Sequence, residues 1–98
     1  IAPQALMVIN NPNVRGSAEK LAVRMQGGAS ADPAAAVKLG FMLTVSRQPG
    51  DSELSEALAF LDAQTKSYTA AGNATPAQTA LADFAQVLLG LNEFVYIE

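Results

Sequence analysis

Asp51, Glu53 and Glu56 bring three carboxylates to one helix start, with the two glutamates three residues apart. Acids at that spacing share a helix face, where a pair could act as general acid and base or hold a hard cation. The same types also suit a helix start for plain reasons: a cap residue, then acids that the N-terminal dipole favours. No alternating run of oxygen ligands of the kind a calcium loop requires accompanies them. Arg47, at the end of an apolar stretch, could bind an anionic ligand. A structural role is favoured, with the guanidinium paired to Glu93 or Glu56 or donating to helix-end carbonyls. Asn92 and Glu93 read first as helix-end and bridging residues. Arg15, Lys20 and Arg24 do not make a single stripe at helical angles. Ser17, Ser30, Ser46, Ser52, Ser55 and Ser67 offer hydroxyls, but none sits in a nucleophile elbow. The chain has neither histidine nor cysteine. That composition excludes disulfides, covalent haem attachment, thiolate or imidazole zinc sites and every triad with an imidazole base within this chain. Composition alone leaves a serine–lysine dyad open, but none is expected. No catalytic, metal or cofactor-binding residue is assigned.

The 98 residues are half hydrophobic and 15% charged, enough for one domain and too few for two. A net charge of −3 and a sequence pI near 4.7 disfavour nucleic acid as a partner, because the whole-molecule field repels phosphate. No apolar run approaches the roughly 18 residues that would span a bilayer. A first residue of Ile1 rather than methionine raises the expectation of a piece cut from a larger protein.

The elements that must position these side chains announce themselves by their starts. Pro3, Asn11-Pro12, Asp32-Pro33 and Thr75-Pro76 each offer a proline suited to a first helical turn, three of them after a capping side chain. A short helix over residues 3–9 is expected first. Val14, Ala18, Leu21, Ala22 and Met25 then form the inward stripe of the next helix, which Gly27-Gly28 should stop. The helix after Pro33 carries Val37, Phe41, Met42, Leu43 and Val45 with only Lys38 clearly hydrophilic, so it belongs in the middle of a bundle. Gly40 inside it suggests close approach of a neighbour. Asp51 or Ser52 caps the following helix, whose stripe is Leu54, Ala57, Leu58, Leu61, Thr65 and Tyr68, with Asp62 and Lys66 paired at i,i+4. It should end near Gly72-Asn73. Ala77, Leu81, Phe84, Ala85 and Leu88 form the last buried stripe, Asn92 is a plausible stop, and Phe94 to Ile97 form an apolar tail expected to fold back as core. The fold class is all-α: a small antiparallel helical bundle of four main helices, plus a short N-terminal helix and an apolar C-terminal tail.

Residues 2–12, then Ser46-Arg47-Gln48-Pro49 with Glu53-Leu54, then Leu88-Leu89-Gly90-Leu91-Asn92-Glu93-Phe94-Val95-Tyr96-Ile97, resemble one family in order and spacing. It is the planctomycete-specific C-terminal domain of unknown function. That family ends large exported proteins that often also carry a planctomycete cytochrome c domain. The resemblance implies an extracytoplasmic or cell-envelope location, a place as the C-terminal portion of a larger chain, and no known activity. Any haem would sit in another domain. The wholly apolar Phe41-Met42-Leu43 departs from the family pattern and suggests a face buried here or against a missing part of the parent chain.

Two functional expectations follow. The first is a non-catalytic module that binds other domains of its parent chain or another protein, with no cofactor in this fragment and no membrane-spanning segment. Its candidate interaction or structural residues are Arg47, Glu56, Asn92, Glu93, Phe94 and Tyr96. The second is one half of an inter-domain active site in which Arg47, Glu93 or Glu56 lines a pocket. A small apolar-ligand carrier is also compatible with the aliphatic content.

Overall fold

Three of the four observed helices begin on a proline, whose missing N–H has no intrahelical partner to lose in a first turn. A computed structural model describes residues 12–29 and 32–97, with residues 12, 28, 29 and 93–97 described by their backbone alone. It contains α1 (Pro12–Ala29), α2 (Pro33–Val45), α3 (Asp51–Ala70) and α4 (Pro76–Ile97), and no strand among the described residues. The expected helix over residues 3–9 lies outside them.

Local chemistry explains each start. Asp32 is extended and its Oδ1 accepts from the Ala34 N–H at 3.1 Å, capping α2. The cap of α3 is Gly50, not Asp51 or Ser52. Glu53 decides this: its Oε1 reaches back to accept from the Gly50 N–H at 2.9 Å, so Asp51 becomes the first helical residue and its charge meets the dipole. Before α4, Asn73 Oδ1 accepts from the Thr75 N–H at 2.7 Å.

The ends obey weaker rules. Gly27-Gly28 lies in the last turn of α1, which ends one residue later at Ala29. Glycine lowers helix propensity by only about 1 kcal/mol, and the packed stripe of Ala18, Leu21, Ala22 and Met25 one turn earlier holds the helix. α3 ends as expected: Gly72 takes φ 81°, and the Asn73 and Gly72 N–H groups donate to the Tyr68 and Thr69 carbonyls at 3.0 and 3.1 Å. Asn92 is no stop. With no glycine or proline after it, α4 continues through residues 93–97, which are helical rather than an extended tail.

The helix in the middle is α4, not α2. Every residue from 80 to 88 is buried, and nine successive residues cover the full circumference of a helix. The other three helices pack against it. Phe84 stands between Phe41 of α2 and Phe60 of α3, with ring centroids 6.4 and 6.2 Å away and tilted planes. α2 instead leaves Met42 and Leu43 44% and 38% exposed. The sequence pattern misled because Asp83 and Gln86 look like a solvent face on α4, whereas both are buried. The expected close approach at Gly40 is present: a Cβ there would lie 2.6 Å from Met25 Cε and 2.7 Å from Leu88 Cδ1.

Candidate interaction surface

Asp83, 3% exposed in the middle of α4, is the polar centre of the molecule. Its Oδ1 accepts from Arg15 Nη1 of α1 at 2.7 Å, and its Oδ2 accepts from Gln64 Nε2 and the Tyr68 hydroxyl of α3, both at 2.7 Å. Arg15 Nη1 also donates to Gln86 Oε1 at 3.3 Å, and its Nε lies 3.8 Å from the Glu19 carboxylate. A buried carboxylate is tolerated when its lone pairs are taken by donors and a cation, and here α1 and α3 supply them. The Tyr68 hydroxyl is pushed up from its ordinary value, first by its hydrogen bond to Asp83, then by burial and the negative charge of Asp83. This arrangement fixes α1 and α3 on α4.

At the α2–α3 corner, Ser46 takes the left-handed conformation with φ 60° and turns the chain, and Arg47 closes it. The guanidinium forms a two-point ion pair with Glu53, Nη1 to Oε1 at 2.7 Å and Nη2 to Oε2 at 2.9 Å. Its carbon lies 5.4 Å from the centre of the Phe41 ring, and Nη1 donates to the Gln48 carbonyl at 3.1 Å. Among the described side chains the carboxylate of Arg47 is Glu53 rather than the expected Glu56, and the Glu93 side chain lies outside them. The reason is local: Glu53, in the first turn of α3, already faces the corner through its bond to Gly50. The Arg47 hydrogen bond holds the Glu53 carboxyl at about 2, helped by the Gly50 N–H and opposed by burial.

The remaining expected residues are spread out. Glu56 is half-buried on α3, one turn beyond Glu53. Asn92 is half-buried on α4 and lines a groove of about 220 Å³ with Asn13, Val14, Ser17 and Leu89. Glu93, Phe94 and Tyr96 belong to the last turns of α4, and their side chains lie outside the described residues. A second cleft, about 110 Å³, lies where Gln26, Asp32, Pro33, Ala36, Leu61, Thr65, Ala77 and Leu81 meet. Arg47 lines neither. Ser17 and Lys20 carry the Ser-x-x-Lys spacing on α1, and both are exposed. Among the described residues no group of three or more acidic side chains could hold a metal ion, and no helix is long and apolar enough to cross a membrane.

What stays apolar and outward is α2. Its thirteen residues contain one charge, Lys38, and a helix so apolar is ordinarily enclosed. Yet Lys38 and Met42 are exposed, and Ala35 and Leu39 are half-buried, at i, i+3, i+4 and i+7 along one stripe, with Leu43 exposed beside it.

The chain matches no protein-family model, no curated protein and no solved structure.

Proposed function

We propose that this chain is a non-catalytic helical module that docks onto another part of its parent polypeptide, or onto a separate protein, through the outer face of α2. The observation that carries the reading is the mismatch on that helix: sequence suited to enclosure on every side, with Met42 and Leu43 left in water. The departure at Phe41-Met42-Leu43 from the planctomycete C-terminal domain that the chain resembles is explained in the same way. Phe41 is the core residue of the three, and its two neighbours meet the partner. On this reading the module belongs to a larger exported protein, as that resemblance implies.

An antiparallel bundle is supported by the clefts: Asn13 and Val14 share a groove with Leu89 and Asn92, whereas Gln26 shares a cleft with Ala77 and Leu81, as opposite directions of α1 and α4 require. Arg47 is committed to Glu53 and Phe41, which supports a module over half of an inter-domain active site.

The test is binding in trans. When the 98-residue chain is titrated calorimetrically with the remainder of its parent polypeptide, a saturable interaction is expected. Met42→Lys with Leu43→Lys should abolish it and leave the thermal midpoint unchanged. Absence of binding overturns docking within the parent polypeptide, and binding indifferent to both substitutions overturns the α2 face.

A further inference from the structure

The three large hydrophobic side chains exposed among the described residues, Val23, Met42 and Leu43, all lie on α1 and α2. Cations accompany them. Lys20, Val23 and Arg24 are exposed at i, i+3 and i+4 on α1, and Lys38 precedes Met42 by four on α2. Residues at these spacings share a helix face. Among the described residues, Lys20, Arg24 and Lys38 lie within ion-pair distance of no acid, whereas Arg15, Arg47 and Lys66 each have one. The acids are elsewhere. Residues 12–47 hold five cations and two acids, and residues 48–98 hold one cation and seven acids. Of the two acids on the first side, Glu19 sits beside Arg15 and Asp32 caps α2.

Resting on the docking reading above, we infer that the partner segment is an acidic amphipathic helix, with carboxylates flanking an apolar stripe. On each helix an exposed apolar side chain stands beside an uncompensated cation, which fits such a partner on both counts: its stripe covers the apolar side chains and its carboxylates meet the cations. The acidity of the second half repels the same partner and directs it to α1 and α2. An anionic lipid surface would repeat the charge match, and the test below separates it from the acidic helix.

Two synthetic helices with the same leucine stripe, one filled out with glutamate and the other with lysine, are titrated into the isotopically labelled chain, and backbone amide signals are followed. The acidic helix should move signals around Val23, Lys38 and Met42, and the basic helix should not. The combined Lys20→Glu, Arg24→Glu and Lys38→Glu variant should bind the acidic helix about tenfold more weakly or worse. Equal binding of both helices overturns the inference, as do shifts confined to α3, or binding to anionic phospholipid vesicles but not to the acidic helix. If the triple variant still binds the remainder of the parent while Met42→Lys does not, the docking face stands and the acidic partner falls.

Discussion

Glu53 serves two masters at the α2–α3 corner, accepting from the Gly50 N–H and from both terminal nitrogens of Arg47. A carboxyl held at about 2 in the folded chain, against 4.5 in its ordinary state, adds stability that is complete above pH 4.5. That contribution disappears as pH falls from there to about 2. Thermal unfolding of Glu53→Gln should therefore lie below wild type at neutral pH, and the two midpoints should converge across that acid window. Asp83 makes a harsher case. Replacing it by alanine strips Arg15, Gln64 and Tyr68 of their shared acceptor, so Asp83→Ala should cost about 3 kcal/mol, read as a lower urea midpoint at unchanged slope. The Glu53 role was half legible in sequence, since a glutamate in a first turn announces a cap. The Asp83 role was not. Its cation lies 68 positions away, and nothing in the run around Asp83 names Arg15.

At the scale of elements, glycines on two helices should respond in opposite directions. Gly90 is exposed with open space around it, so Gly90→Ala should stabilise the chain by up to about 1 kcal/mol through helix propensity alone. Gly40→Ala gains the same propensity but drives a methyl into the side-chain ends of Met25 and Leu88, both buried, which must shift to admit it. Overpacking costs about 1–3 kcal/mol, so the net effect should be a loss, and the two urea midpoints should move apart. Helix starts were readable because a cap and a proline act within three residues. The helix end at Asn92 was misread because an asparagine with no glycine or proline after it does not by itself terminate a helix. Which helix is central was misread as well: apolar content marks α2, but the partners of Asp83 and Gln86 make α4 the enclosed one.

For the molecule as a whole, enclosure of α4 predicts where the last protection against exchange resides. The amides of residues 80–88 should exchange only through global unfolding, with a free energy equal to that from urea. Amides near Pro33 and Pro76 should open at lower cost. If the α3 amides were instead the slowest set, α4 would not be the hub.

The helix that the other three surround is also the last of the four in chain order. During synthesis α1, α2 and α3 leave the ribosome before the element that completes their common interior. Until residues 80–88 follow, Ala18, Met25, Val37 and Phe41 have only each other to cover them, and Arg15 has no Asp83. A nascent chain halted before α4 is therefore a sticky, unfinished object and a natural client for chaperones, while release of α4 lets distant parts condense in one step.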